Sequence, residues 1–310
     1  MYQGKRVAAV VPAHDEEAHI ADVIRGLPDT VDLVIVVDDA SSDRTAAVAR
    51  ATGDARLEVI QLQENQGVGG AILTGHRRAL ELGADINVVF AGDDQMDPKY
   101  LPALLDPIVE RGYGFTKANR FYSRRSFEGM PRHRVFGNIV LSFLTKLASG
   151  YWHLFDPQNG YTAITREALE LLPLDEIAKG YEFENDLLIN LNIAGVRALD
   201  VPVPARYGNE VSGIKLRRVV PAITWLLVRG FWKRLIWKYT VRSFSPIALF
   251  FFVGMALVLW GIGFGIWVIA ETLGPGVATT GTVILSVVPF LIGVQLLISA
   301  LVLDIQESPD

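Results

Sequence analysis

The chain contains no cysteine among its 310 residues. No disulfide framework can therefore hold it, and the absence fits a reducing compartment. Charge is also missing from two long stretches: residues 243–270 carry no Asp, Glu, Lys or Arg, and neither do residues 272–303. A helix needs roughly 20 apolar residues to cross the hydrocarbon of a bilayer, so each run predicts one span. Buried core helices would need a large domain around them, and only seven residues follow the second run. The mean hydropathy of +0.29 is high for a soluble enzyme and agrees with two spans. Internal repeats and low-complexity segments are absent, and no charged-then-apolar leader with a cleavage site is expected ahead of the first apolar run.

Acid is the next thing missing. Residues 211–242 hold eight Lys or Arg and no Asp or Glu. Trp225, Phe231, Trp232, Trp237 and Tyr239 are interleaved with these cations, the composition of helices lying at headgroup level on anionic lipid. Basic and aromatic residues together also serve nucleic acids, but adjacency to a spanning run argues against that partner. The stretch "ETLGPGVATTG" between the two runs predicts a short turn, so they form a hairpin with both ends on one face of the membrane. The basic flank stays cytoplasmic, which places the main domain in the cytosol and the protein in the cytoplasmic (inner) membrane as a multi-pass chain. The expected organisation is a cytosolic domain over residues 1–210, interfacial helices over 211–242, and a hairpin over 243–310 with spans near 244–270 and 280–303.

What the first 210 residues do have is alternation. "RVAAVVPA", "VDLVIVVDD", "RLEVIQL", "INVVFAGD" and "YGFTKANR" are short apolar runs, and helical patterns such as "DRTAAVARAT" and "GVGGAILTGHRRALEL" separate the first four. That order predicts an α/β fold, a mostly parallel sheet with helices on both faces and ligands at the carboxyl ends of the strands. Polar clusters stand at those ends: "PAHDEE", "DDASSD" and "AGDDQMDP". The last discharges three carboxylates and an amide directly after a buried strand, a set of hard oxygen ligands.

These stretches carry a resemblance. "VVPAHDEEAHI", "VIVVDDASSDRT", "NQGVGGAILTG" and "AGDDQMDP" are similar to successive motifs of the family 2 glycosyltransferases, which have the nucleotide-diphospho-sugar transferase (GT-A) fold. More narrowly, the chain resembles the polyprenyl-phosphate glycosyltransferases, the group containing dolichyl-phosphate mannose synthase, over nearly all of residues 5–216. The resemblance implies inverting transfer of a hexose from a GDP- or UDP-linked sugar to a polyprenyl or dolichyl phosphate. Pro12, His14, Glu16, Val36 and Asp38 match positions that hold base and ribose, with His14 standing where members often have Tyr. Asp38 and Asp39 are also placed to cap the next helix, worth about 1 kcal/mol. Ser41, Ser42 or Asp43 can do that as well, so Asp38 is assigned to the donor.

A departing diphosphate is stabilised by a hard divalent cation, here Mg²⁺ or Mn²⁺. Aligned on "QMDP", Asp93 matches the second acid of the family's Asp-x-Asp, Ala91 replaces the first, and Gln95 matches a residue of the metal site. Gly92 belongs to the same donor-binding loop, and Asp94 is an extra carboxylate that would compensate for Ala91 if it faced the ion. An isoprenoid phosphate is already ionised near neutral pH, so the acceptor side needs cations and positioning. Arg120, Arg134 and Lys215 match family positions best, with Arg132 and Arg206 as further candidates, Arg206 on the donor side. "FDPQNGYTAITREAL" resembles the acceptor-side turn, so Asp156, Gln158 and Asn159 are expected near the sugar. In "YEFENDLLINLNIAG", Glu182, Glu184 and Asp186 cannot share one helix face while Leu187, Leu188 and Leu191 pack inward; Glu184 or Asp186 is expected to face the sugar.

Three other readings compete. A processive polysaccharide synthase would share the fold, but this chain lacks both the Gln-x-x-Arg-Trp motif and the multiple channel-forming helices. A non-catalytic sugar-nucleotide-binding subunit would explain Ala91. A glycosyltransferase acting on a hydroxyl lipid such as diacylglycerol would use the same collar but need a general base. Homo-oligomer formation is left open.

Overall fold

A computed structural model describes residues 1–122, 132–204, 216–274 and 277–309, with the side chains of 132–135 and 216–218 outside the description. The chain divides into two units, residues 1–231 with 309–310 and residues 232–308.

The first unit is built on β1 (Val7–Ala13), β2 (Leu33–Asp38), β3 (Leu57–Gln61), β4 (Ile86–Val89), β5 (Phe115–Asn119), β6 (Thr162–Thr165) and β7 (Ala198–Pro202). These strands form one sheet in the order β3-β2-β1-β4-β6-β5-β7. Only β6 runs antiparallel to its neighbours β4 and β5, so the other carboxyl ends share an edge. β1 and β2 read as unbroken apolar runs because both faces are covered. Side chains alternate between the two cores. Val7, Ala9, Val11, Val34 and Val36 join one cluster with Ile20, Val23 and Ile24 of α1 (Ile20–Gly26); Ala8, Ile35 and Val37 join another with Ala71 and Ala79 of α3 (Val68–Glu81).

Glycine lets α3 approach the sheet. A Cβ at Gly75 would stand 2.3 Å from Val10 Cγ1, and one at Gly67, whose φ is +84°, would stand 2.7 Å from the Lys179 carbonyl oxygen. α2 (Thr45–Ala51) begins where Asp43 Oδ1 accepts the Thr45 N–H at 2.8 Å. Asp43 therefore serves that helix end, leaving Asp38 and Asp39 to other contacts. α4 (Leu101–Arg111), α5 (Arg132–Ser149), α6 (Arg166–Glu170), α7 (Phe183–Ala194) and α8 (Leu216–Arg234) complete the order. Beyond the five apolar runs read as strands, β6 and β7 extend the sheet. β7 interrupts its apolar pattern with Asp200, whose burial depends on a distant lysine.

The second unit contains a π-helix over Leu235–Arg242, then α9 (Pro246–Leu273) and α10 (Thr280–Gln306). Both α-helices are long and apolar enough to cross a membrane. Large side chains such as Leu259, Trp260, Ile266 and Leu291 point outward, a surface that water does not tolerate on this scale. The helices run antiparallel at close range: a Cβ at Gly254 would stand 2.9 Å from the Gly293 carbonyl oxygen, and one at Gly261 2.6 Å from Phe290 Cβ. Asp304, the first charge after the second uncharged run, is buried and neutralised. Its oxygens take Arg234 Nη1 at 2.5 Å, Arg234 Nη2 at 3.1 Å and the Tyr239 hydroxyl at 2.6 Å.

Candidate active site

Three loops at the carboxyl edge of the sheet come together. Those after β1 and β2 are laced: the Ser42 N–H reaches Asp15 Oδ1 at 2.7 Å, the Glu16 N–H reaches Thr45 Oγ1 at 2.8 Å, and the Glu17 N–H reaches Asp43 Oδ2 at 3.0 Å. His14, exposed beside this lacing, has Nδ1 2.8 Å from the Asp39 carbonyl oxygen. Asp38 is held at the strand end, Oδ1 accepting the Ser41 N–H at 3.0 Å and Oδ2 accepting Gln61 Nε2 at 3.1 Å. Asp39 acts elsewhere, since its carboxylate takes the Gln66 and Gly67 N–H groups at 2.7 and 2.9 Å and so fixes the turn that opens α3.

The loop after β4 lies against the first. A Cβ at Gly92 would stand 3.2 Å from the Pro12 carbonyl oxygen and 3.3 Å from Glu16 Cγ, so the close approach favours glycine. The structure thus brings Pro12, Glu16 and Gly92 together. Val36, from the same set, has its side chain fully buried in the cluster that includes Val11, Val34 and Phe90.

Asp93 and Gln95 line a hollow of about 190 Å³ together with Arg120, Gln158, Asn159 and Tyr161. Asp93 Oδ1 accepts the Gln95 N–H at 3.0 Å, which ties the two residues into one turn. Ala91 also lines this hollow, so its methyl stands where a second carboxylate would project. Asp94 has φ +57° and is not part of the lining. Among the described residues, no group of three or more His, Cys, Asp or Glu could hold a metal ion unaided. One carboxylate and one amide oxygen still suit a small hard cation whose other positions are filled by phosphate oxygens and water, the way Mg²⁺ is commonly bound.

Arg120 is fixed rather than free. Its Nε donates to Asp156 Oδ2 at 2.7 Å and its Nη2 to Oδ1 at 2.8 Å, while its N–H reaches Oδ2 at 3.1 Å. Burial alone would raise the Asp156 pKa, but the bidentate guanidinium, helped by Lys117, holds it below the ordinary carboxylate value. Asp156 is therefore anionic and aims Arg120. Lys117, unremarked in the sequence, is fully buried beneath: Nζ donates to the Asp156 carbonyl at 2.9 Å and to that of Phe155, and lies 2.9 Å from Asp200 Oδ1. Asp200 Oδ2 accepts Asn119 Nδ2 at 3.0 Å and the Phe155 N–H. Burial raises the Asp200 pKa and Lys117 opposes it. No sequence signal pairs Lys117 with a residue 83 positions away; only the neighbouring of β5 and β7 does.

Glu184 lines a small hollow with Lys117, Asn159 and Gly160, of which the last two also line the larger one. Burial pushes its carboxyl up to about 7, with Glu182 adding repulsion. Asp186, the alternative to Glu184 in the sequence reading, is placed differently. It is buried, with Oδ2 accepting the Ala178 N–H at 2.8 Å and Oδ1 accepting Asn190 Nδ2 at 3.1 Å, and it lines neither hollow. It fastens the preceding loop to α7. The side chains of Arg132 and Arg134, and all of Arg206 and Lys215, lie outside the described residues.

A mixed, mainly parallel sheet with an acidic loop after β4 is the arrangement of the GT-A fold, and similarity to known proteins supplies the family. Residues 8–172 match the family described as glycosyl transferase family 2. The chain belongs to that family. It is 31% identical over 218 residues to UDP-N-acetylglucosamine–dolichyl-phosphate N-acetylglucosaminyltransferase of Methanococcus voltae, covering 66% of this chain and 86% of the relative. It is 30% identical over 203 residues to undecaprenyl-phosphate mannosyltransferase of Micrococcus luteus, covering 64% and 82%. Among solved structures, glucosyl-3-phosphoglycerate synthase of Mycobacterium tuberculosis, in complex with Mn²⁺, UDP and phosphoglyceric acid, superposes with a TM-score of 0.56 at 25% identity over 74% of this chain and 78% of that one.

Proposed function

We propose that this glycosyltransferase moves a hexose from a GDP- or UDP-linked sugar to a polyprenyl or dolichyl phosphate in the membrane, by one inverting displacement. The observation that carries the reading is Arg120, clamped by Asp156, facing the same hollow as Asp93 and Gln95. A fixed cation sharing a hollow with the donor-side oxygens suits a nucleophile that arrives already negative. An acceptor phosphate oxygen attacks the anomeric carbon, the bond from that carbon to the diphosphate oxygen breaks, and the nucleoside diphosphate departs with the electron pair. No proton need move. Asp93 and Gln95 would hold Mg²⁺ or Mn²⁺, which when bound neutralises charge building on the leaving diphosphate. Pro12, His14, Glu16 and Asp38 receive base and ribose. Gln158, Asn159 and Glu184 stand toward the sugar.

By resemblance, Arg134 and Lys215 join Arg120 on the acceptor phosphate, so Arg134→Ala and Lys215→Ala should weaken acceptor capture and spare donor binding. In this reading residues 1–210 are the catalytic domain, residues 211–242 lie on anionic lipid, and the hairpin anchors the protein in the cytoplasmic membrane. Membranes bearing the protein, given labelled UDP- and GDP-sugars and a polyprenyl phosphate, should yield an acid-labile lipid product. An acid-stable glycolipid, or none with any polyprenyl phosphate, overturns the proposal.

One observation favours a second reading. A carboxyl poised near 7, as Glu184 is, has the pKa a general base needs to activate a hydroxyl acceptor. That reading requires kcat to rise as Glu184 ionises and to collapse in Glu184→Gln. The phosphate reading requires neither.

A further inference from the structure

Beneath the candidate site sits a lysine that water does not reach. Lys117 is 1% exposed, and the register of β5 against β7 sets it directly opposite Asp200. A lysine is almost never fully buried unless its charge is paired. Asp200 supplies the pair at 2.9 Å, yet pairing does not explain why a charge stands there at all. Removing two ions from water costs about as much as their attraction returns, and apolar residues of similar volume often serve a core as well. What the pair does beyond its own contact is therefore the informative part.

The ammonium meets two successive carbonyls, donating to that of Phe155 and, at 2.9 Å, to that of Asp156. These carbonyls flank Asp156, whose φ of +50° lies in the left-handed region. Such a backbone costs a residue other than glycine energy and persists only where its surroundings hold it. Lys117 holds it from below. Asp200 holds the same turn by accepting the Phe155 N–H, and the Asp156 carbonyl also takes the Asn159 N–H at 3.1 Å. From this turn the Asp156 carboxylate clamps Arg120 at Nε and Nη2 and takes Asn159 Nδ2 at 3.3 Å. A second route leads from Asp200 to the same arginine. Asp200 Oδ2 accepts Asn119 Nδ2 at 3.0 Å, and Asn119 Oδ1 accepts the Phe121 N–H at 2.8 Å, so the neighbours of Arg120 on both sides are pinned.

We propose that Lys117 and Asp200 are a positioning pair for the acceptor: from beneath the turn they hold Asp156 in its left-handed conformation and so fix where the Arg120 guanidinium meets the acceptor phosphate. Only the identity of what Arg120 meets rests on the proposed function. A guanidinium clamped at two nitrogens does not follow a misplaced phosphate, so a shift of the turn is felt in acceptor capture. Donor binding is insulated from it, because Asp93 and Gln95 stand on a separate loop and are tied to each other.

The test removes both charges together, since Lys117→Met alone would strand Asp200 buried and unpaired. Lys117→Met/Asp200→Asn keeps the side-chain lengths and an acceptor for the Phe155 N–H. The full-length double variant in detergent is expected to melt close to the natural protein. Its KM for polyprenyl phosphate should rise and kcat/KM for that substrate fall on the order of 100-fold, with KM for the nucleotide sugar unchanged. Hydrogen exchange should quicken in the peptide covering 153–161 and stay as it was in β1. Natural acceptor kinetics in the folded double variant overturn the proposal, because a pair kept for packing is dispensable as a pair. Equal losses in the donor and acceptor terms overturn it too, as the mark of a general loosening. Asn119→Ala leaves both charges in place and cuts the link to the Phe121 N–H; it should raise the acceptor KM alone, by less. If the double variant does not fold, an unchanged acceptor KM in Asn119→Ala overturns the pair's role. If the natural protein uses no polyprenyl phosphate, the functional reading fails on its own, and unchanged exchange over 153–161 in the double variant still overturns the positioning.

Discussion

Asp93 stands alone where the resembling family has a second acid two residues earlier, and the turn around it shows how one carboxylate can suffice. With Oδ1 engaged by the Gln95 N–H, Asp93 and Gln95 face the hollow from a single turn while Ala91 leaves space for water or phosphate oxygen. Asp93→Ala should lower turnover on the order of 100-fold or more at saturating Mg²⁺ or Mn²⁺ and leave the melting temperature unchanged, because a surface-loop carboxylate adds little to stability. Near-normal turnover would remove Asp93 from the site. Glu184 is a test of the opposite kind, since burial moves its carboxyl from 4.5 to about 7. Below the unfolded value both states hold the proton; between the two values the unfolded chain releases it first, so this site's contribution to stability is lost as pH rises through about 7. Glu184→Gln has no proton to lose. Relative to the natural protein it should therefore gain stability from near pH 5 to near pH 8, by at most about 3 kcal/mol, seen as a melting-temperature difference that widens with pH. A constant difference would mean that Glu184 ionises as freely in the fold as out of it.

At the scale of elements, legibility followed periodicity. β1 and β2 are central strands with apolar runs, β4 is apolar but for Asn87, and α3 is a long amphipathic helix, so their patterns were readable in advance. β7 was not, because "ALDVP" becomes a strand only when Asp200 meets Lys117 of β5. For the same reason the loop carboxylates of the site were legible as a set while their division of labour was not: Asp39 takes the Gln66 and Gly67 N–H groups, and Asp186, expected as the alternative to Glu184, takes the Ala178 N–H and the Asn190 side-chain amide. The hairpin elements were readable as spans, but their close contact depends on glycines whose effect only geometry shows. A Cβ at Gly293 would stand 2.7 Å from the Gly254 carbonyl oxygen and 2.8 Å from the Val258 nitrogen, whereas one at Gly263 meets nothing within 4 Å. Small residues are what let membrane helices approach this closely. Gly293→Leu should lower hairpin stability by about 1–3 kcal/mol through overpacking, and Gly263→Ala should be neutral or slightly stabilising. Thermal unfolding of both variants in one detergent checks this, and equal effects would show that the close approach does not hold the helices together.

At the scale of the whole chain, the proposed topology follows from helix length, direction and charge taken together. At a rise of about 1.5 Å per residue, the 28 residues of α9 extend about 42 Å and the 27 of α10 nearly as far, enough for a hydrocarbon core of about 30 Å. Their partners run in opposite order, Gly254 against Gly293 and Gly261 against Phe290, so the start of α9 and the end of α10 share one end of the pair. That end is preceded by the basic segment, eight Lys or Arg in residues 211–242 without an acid, while near the other end stands only Glu271, in the last turn of α9. Positive flanks are retained on the cytoplasmic side, so the nucleotide-sugar loops and the C-terminus should both face the cytosol. A reporter fused after Asp310 is expected to read as cytosolic, and one inserted near Gly276 as external. Cytosolic signals from both positions would show that the apolar helices do not cross, whereas external signals from both would mean that only one helix spans the membrane.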